Sequence, residues 1–142
     1  MIKQAVDVSA SELRFILGEL TQPNPEVVYV VRRHGRPLML IWPARDLTDE
    51  GAMRTRIAQV VKSLNVANHA VGRRGDTPIP EHPRRVSQTE LRRTATAFYL
   101  QISSTGLPGL ITHYGQDAAV YVPVGADNTV EQWVKSMNTL LN

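Results

Sequence analysis

The sequence contains no cysteine. This excludes disulfide frameworks, thiolate zinc sites, iron–sulfur clusters and cysteine nucleophiles. There is no apolar run close to the roughly 18 residues that a membrane-spanning helix needs. The first residues, MIKQAVDVSASE, lack the apolar stretch of a secretory signal. We therefore predict a cytoplasmic protein.

Recognisable catalytic motifs are also missing. The sequence has no glycine-rich phosphate loop, no HExxH and no nucleophile elbow. Its four histidines show no metal-ligand spacing: His34, His69, His82 and His113. Glu12 and Glu90 lie where helix-capping residues are expected, which is a more common role than acid–base catalysis. We predict a protein that is not an enzyme and that has no cofactor and no metal.

Charge is distributed unevenly along the 142 residues, whose formal net charge is +3. Residues 1–68 contain 9 Lys/Arg and 7 Asp/Glu, a net +2. Residues 69–85 contain 4 Lys/Arg and 2 Asp/Glu, again a net +2. Residues 86–142 contain 3 Lys/Arg and 4 Asp/Glu, a net −1. An anionic partner is therefore expected to meet the first half and the middle of the chain.

Three blocks of sequence occur twice, in the same order. VSASELR (8–14) matches VSQTELR (86–92) at five of seven positions. RRHGRPLMLIWPA (32–44) aligns with THYGQDAAVYVPV (112–124), and IAQVVKSLN (57–65) matches VEQWVKSMN (130–138) at five of nine. The offsets are 78, 80 and 73 residues, which fits a tandem duplication with small changes in loop length. We call residues 1–68 unit one and residues 86–142 unit two.

The joining segment, residues 69–85, is HAVGRRGDTPIPEHPRR. Its three prolines and two glycines predict an extended, flexible linker rather than a helix or strand. Fully extended, such a segment reaches roughly 55 Å, enough for the two units to pack side by side.

Both units have the same predicted plan of strand, helix, β-hairpin and helix. Ser9 with Glu12, and Ser87 with Glu90, have the spacing of capping boxes that open the first helix of each unit. In unit one the predicted elements are a strand at 4–8, hairpin strands at 27–31 and 37–42, and a helix at 49–65. In unit two they are a strand at 84–86, hairpin strands at 110–112 and 118–122, and a helix at 129–141.

A unit of this size buries only a thin core. We therefore predict an α/β (α+β) fold in which the two units pack as a pseudo-twofold dimer within one chain. Trp42 and Trp133 are expected in the core or between the units rather than at a ligand, as are Tyr29, Tyr99 and Tyr121.

Basic side chains cluster at three places that could contact nucleic acid. Arg14 and Arg92 lie one turn into the first helix of each unit, where a guanidinium can reach a phosphate or a guanine edge. The first hairpin turn carries Arg32, Arg33, His34 and Arg36, and the linker carries Arg73, Arg74, Arg84 and Arg85. For each cluster the alternative is a solvated or ion-paired surface residue.

These motifs resemble the Phd/YefM (prevent-host-death) family of antitoxins. That family has a short strand, a helix opened by S-x-S/T-E-A/L-R, a hairpin of the form T-R-x-G-K/R-P-V-A-V-L, and a helix. Unit one resembles it over its first 47 residues, with VSASELR and VVRRHGRPLMLIWPARDL. Unit two is a more distant match, with VSQTELR and LITHYGQDAAVYVP.

The resemblance implies an α/β dimer that binds operator DNA, represses its own operon and neutralises a toxin through a disordered tail. It maps the DNA contacts onto Arg14, Arg32 and Arg33 in unit one, and onto Arg92 and His113 in unit two. We accordingly predict a repressor or autoregulator of transcription whose partner is double-stranded operator DNA.

Two departures from the family keep an alternative open. No segment corresponds to the toxin-binding tail, because unit two ends in TVEQWVKSMNTLLN, which is typical of an ordered amphipathic helix. The second turn has also lost charge, with His113, Tyr114 and Gln116 in place of Arg33, His34 and Arg36. The alternative is a protein-interaction module, either antitoxin-like with a toxin or other protein partner or an adaptor or assembly protein, that kept the fold and lost DNA binding. The chain would be a pseudo-dimeric monomer or, in a third hypothesis, a homodimer.

Overall fold

The computed structural model describes residues 2–18, 26–43, 50–73 and 75–141, without the side chains of residues 14, 16 and 50. The strands are β1 (Gln4–Ser9), β2 (Val27–Arg33), β3 (Arg36–Pro43), β4 (Arg85–Ser87), β5 (Gly109–His113) and β6 (Gln116–Pro123). The helices are α1 (Leu13–Ile16), α2 (Glu50–Ala70), α3 (Gln88–Arg93), α4 (Ala95–Thr105) and α5 (Asp127–Leu141).

All six strands form one sheet in the order β1-β2-β3-β6-β5-β4. The outer pairs, β1 with β2 and β4 with β5, are parallel, and the remaining pairs are antiparallel. The order of strands and their directions are therefore the same from either edge. The predicted mixed α/β class is confirmed.

The central pairing of β3 with β6 has a symmetric register. Ile41 lies opposite Tyr121, with Leu40 opposite Val122 and Trp42 opposite Val120 on its two sides. Ile41 and Tyr121 are 121 − 41 = 80 residues apart, the same offset that relates the two hairpins in sequence. Two identical hairpins meeting on a twofold axis perpendicular to the sheet would have this register.

Both hairpins close through the same two-residue turn. His34 and Gly35 have φ of 54° and 77°, and Tyr114 and Gly115 have φ of 51° and 76°. Two consecutive residues with positive φ are typical of a type I′ turn, in which glycine at the second position relieves the steric cost. Each hairpin also has a register shift at the same place, between Val31 and Arg32 and between Ile111 and Thr112.

Helices cover both faces of the sheet, because its strand residues alternate between two apolar clusters. Leu40, Trp42 and Val120 pack with α2 and α5 on one face. Ile41 and Tyr121 pack with α1, α3 and α4 on the other. This gives three layers, and the predicted burial of Trp42 and Trp133 is confirmed.

The closing helix of each unit reaches the other unit. The Asn138 side chain of α5 accepts a hydrogen bond from the Ile2 amide (2.7 Å) and donates one to the Ile2 carbonyl (3.0 Å). Trp133 of α5 meets Trp42 of β3 edge-on, with ring centroids 6.3 Å apart. Met53 of α2 borders the same small cavity as Leu110 of β5. The hydrophobic core is therefore shared between the units.

Several local predictions are wrong in detail. The Ser9 hydroxyl donates to the Glu12 carboxylate (2.9 Å) instead of capping a helix, and α1 begins only at Leu13. The Ser87 hydroxyl does accept from the Glu90 amide (3.0 Å), but the helix that it opens breaks at Thr94, where φ is −127°.

The linker is shorter and more firmly attached than its composition suggests. Helix α2 continues to Ala70, five residues beyond the predicted end at 65, because the prolines begin only at Pro78. Thr77 is then tied to Asn65 by two hydrogen bonds of 2.8 and 3.1 Å. These bonds hold Thr77 against α2.

Because the two tryptophans join the units, truncating one should destabilise the whole chain. We expect Trp133→Ala to lower the free energy of unfolding by about 3–5 kcal/mol, measured by urea denaturation as a single transition. Trp133→Phe should cost much less, since the indole Nε1 is buried with no hydrogen-bond partner among the described residues. Separate transitions for the two units in the parent protein would contradict the shared core.

Candidate nucleic-acid interface

A groove of about 520 Å³ opens beside the first hairpin, where α1 of unit one faces α3 and α4 of unit two. Its walls come from the end of β1, the end of β2 and these helices. We call it the basic groove; its lining residues are Ser9, Ala10, Ser11, Leu13, Leu17, Arg32, Arg33, His34, Leu91, Arg92, Ala95, Thr96 and Tyr99.

The electrostatic character of the groove comes from both units. Arg33 belongs to the hairpin of unit one, and Arg92 to α3 of unit two. Both side chains are exposed, and within the described ranges neither takes part in a salt bridge. No aspartate or glutamate is among the described lining residues. Arg33 and Arg92 can therefore attract an anion without first breaking an internal ion pair.

Tyr99 holds the two walls of the groove together. Its hydroxyl donates to the Ala10 carbonyl (3.1 Å), which links α4 of unit two to the residue after β1 of unit one. Burial raises the pKa of Tyr99 to about 12, although the positive charge of Arg33 acts in the opposite direction. The phenol is therefore a neutral hydrogen-bond donor at ordinary pH.

Arg32 differs from its neighbours in having its charge satisfied internally. Its Nε lies 2.9 Å from Asp7 Oδ1, and its Nη1 lies 2.6 Å from Asp127 Oδ1. These hydrogen bonds, first that to Asp7, raise the pKa of Arg32 further. Arg32 lines the groove but also fastens β1 and the start of α5 to the hairpin, so its guanidinium is less available for a phosphate than that of Arg33.

The structure places the remaining predicted contacts in different positions. His34 lines the basic groove from the turn, whereas Arg36 and Arg73 line a separate cavity. The side chain of Arg14 and the whole of Arg74 lie outside the described residues.

In unit two, His113 is turned towards its own unit. Its Nδ1 lies 3.0 Å from the Gln88 side-chain oxygen, and its ring packs on that of Tyr114 with centroids 4.3 Å apart. Tyr114 itself is 93% exposed at the tip of the turn.

Sequence reasoning missed the partners that shape the groove. Nothing in the sequence connects Asp127 to Arg32 across 95 residues, or Tyr99 to Ala10 across 89. Tyr99 was expected in the core, and its ring is buried there. The hydrogen bond of its hydroxyl was not predicted. The repeat could have indicated one of these contacts. If the two units pair as a pseudo-dimer, the first helix of one unit lies near the hairpin of the other.

Two further observations concern metal ions and membranes. Among the described residues, no group of three or more histidine, aspartate or glutamate side chains could hold a metal ion. None of the helices in the described part of the chain is both long and apolar enough to cross a membrane.

Removing the Tyr99 hydroxyl should weaken the groove and change the response to alkali. Tyr99→Phe should lower the free energy of unfolding by about 0.5–1.5 kcal/mol near neutral pH, the usual contribution of one hydrogen bond. Because the folded pKa is raised, the contribution of the buried phenol is complete below about pH 10 and is lost as the pH rises towards 12.

The measurement is urea unfolding from pH 7 to pH 11, together with ultraviolet titration of the phenols. Tyr99→Phe should remove the ionisation near pH 12 and make the loss of stability above pH 10 less steep. Tyr114→Phe, at an exposed site, is the matched control and should leave the stability near neutral pH unchanged. Loss of an ionisation near the ordinary phenol pKa of 10.0, instead of near 12, in Tyr99→Phe would contradict the burial of this phenol.

Comparison with known proteins adds no family to this geometry. No family model, curated protein or solved structure matches the chain. The resemblance to Phd/YefM antitoxins therefore depends on the repeated motifs alone, and its functional content is a proposal.

Proposed function

We propose that the chain is a DNA-binding repressor or autoregulator of transcription made of two fused Phd/YefM-like units, the second of them diverged. The observation that carries this proposal is the basic groove, in which Arg33 of one unit and Arg92 of the other line one exposed cavity with no described carboxylate. Phosphate groups of double-stranded DNA are the anions that such a surface fits best.

The fold supports the duplication on which the proposal rests. The strand order is symmetric about β3 and β6, the two turns have matching φ angles, and the Ile41–Tyr121 pair lies at the centre of the register. A single chain with this arrangement presents two hairpin turns where a homodimer would present one from each protomer.

The spacing of the two turns suits a duplex. Gly35 is 41 − 35 = 6 residues from the centre of the β3–β6 pairing, and Gly115 is equally far on the other side. At about 3.3 Å per residue the turns are separated by about 40 Å along the strands. Successive major grooves on one face of B-DNA are about 34 Å apart. Both turns can therefore reach the same side of one DNA molecule.

Binding in this mechanism begins with electrostatic docking. Arg33, Arg92 and His34 contact phosphates, and a guanidinium that enters the major groove can form two hydrogen bonds with a guanine. Since each phosphate contact releases counterions, affinity should fall steeply with salt.

The proposal predicts that groove arginines matter and a neighbouring arginine does not. Arg33→Gln and Arg92→Gln should each weaken binding by about 1–3 kcal/mol, measured by fluorescence anisotropy on DNA from the region upstream of the gene across a salt series. Arg93→Gln is the matched control, because Arg93 is exposed on the same helix but does not line the groove. Equal effects of Arg92→Gln and Arg93→Gln, or no binding by the parent protein, would overturn the assignment.

A protein-binding role is the second candidate, favoured by the end of the chain. Helix α5 is ordered to Leu141, and Leu140 and Leu141 remain 46% and 36% exposed. An exposed apolar helix end can dock a toxin or another protein. Copurification of a protein partner without nucleic acid, from cells that express the chain, would support this candidate over DNA binding.

A further inference from the structure

The two hairpin turns have the same backbone but opposite chemistry. Their φ angles agree within a few degrees and their register shifts coincide. Unit one places Arg33, His34 and Arg36 on this backbone, whereas unit two places His113, Tyr114 and Gln116. The same geometry therefore presents two arginines on one side of the pseudo-twofold axis and none on the other.

The first helices of the two units do not compensate for the difference in charge between the turns. By the repeat, Phe15 of unit one corresponds to Arg93 of unit two, and Phe15 is 70% exposed. Arg33 of the unit-one hairpin and Arg92 of α3 meet at the basic groove, whereas Arg93 does not line it. By the repeat, the symmetry-related position combines the turn of unit two, which has no arginine, with the first helix of unit one, where Arg14 corresponds to Arg92. The difference in charge between the two positions therefore comes mainly from the turns.

The second turn offers a different kind of contact. His113 is occupied by the Gln88 side chain, so its Nδ1 is not available to a ligand in this arrangement. Tyr114 is 93% exposed, and its ring rests against that of His113, which holds it at the tip of the turn. An exposed aromatic ring held in this way can pack on a sugar or a thymine methyl group of a duplex without adding charge.

We propose that the chain binds a DNA duplex in one orientation. The basic groove contacts the phosphates of one half-site, and the Tyr114 turn, which carries no cation, contacts the other half-site. This inference rests on the proposed function and specifies its ligand. The preferred duplex has no twofold symmetry, although the fold that binds it is nearly symmetric.

Exchanging side chains between the turns tests this directly. The forward exchange is Arg33→His, His34→Tyr and Arg36→Gln, and the reverse exchange is His113→Arg, Tyr114→His and Gln116→Arg. Each turn already accepts its own set of residues on the same backbone, so both variants should fold, which circular dichroism and thermal unfolding would verify. The probe is a fluorescent 30-base-pair duplex of random sequence, titrated at several salt concentrations.

The forward exchange should reduce the slope of log affinity against log salt by about 1, because it removes one arginine of the basic groove, Arg33, at about 0.9 per phosphate contact. The reverse exchange should increase the slope by about 1, because it places an arginine at the matching position 113. An unchanged slope in either variant, with the parent protein still binding, would overturn the inference. Failure of the parent protein to bind at low salt would instead overturn the proposed function.

Selection from a random duplex library gives an independent result. The parent protein should enrich a sequence without twofold symmetry, and the reverse exchange should shift enrichment towards a palindrome. A palindromic consensus for the parent protein would contradict the directional model even if the salt slopes agreed with it.

Discussion

The antiparallel pairing of β3 with β6 is the contact on which the rest of the structure depends. It joins two three-stranded halves into one six-stranded sheet, and its register is centred on Ile41 and Tyr121. A shift of one residue would turn the alternating side chains of β3 to the wrong faces. Trp42 would then leave Trp133, and Ile41 would leave the cluster that supports α1 and α4. Because both faces of these strands are apolar, the register is fixed by how the individual side chains pack in the two clusters rather than by an alternation of polar and apolar residues.

The same pairing makes the candidate site composite. Arg33 and Arg92 come from different units, and Tyr99 of unit two bonds to the Ala10 carbonyl of unit one. Arg32 links the hairpin to Asp127 at the start of α5. Neither unit alone supplies the groove, which gives a physical reason why both remain in one chain. Covalent fusion also allows the two turns to differ, whereas a homodimer must present the same turn twice.

The sequence predicted the elements that depend on local patterns. Both hairpins followed from apolar strands on either side of a glycine-containing turn, and the closing helices from repeated apolar spacing. It did not predict the break at Thr94, because the apolar stripe of Leu91, Ala95 and Phe98 is as regular as that of an unbroken helix. The predicted helix cap at Ser9 was also wrong. Its motif is the same as that of Ser87, but the Ser9 hydroxyl donates to the Glu12 carboxylate instead of accepting from a helix amide.

The site was predicted in part, for a similar reason. Exposed arginines on a turn and at a helix start can be identified from sequence, and Arg33 and Arg92 do line one groove. The pairing of Arg32 with Asp7 and Asp127 depends on contacts across 25 and 95 residues, which no local pattern encodes. Charge in the sequence therefore indicates which residues are basic, and tertiary contacts decide which of them are available.

In the proposed function, one chain binds DNA as a homodimer would. The most direct measurement is the mass of the protein–DNA complex by sedimentation equilibrium, using a duplex long enough for both turns. The account predicts one chain of 15.8 kDa per duplex, and a free protein of the same mass. Two chains per duplex, or a free protein of twice that mass, would contradict it.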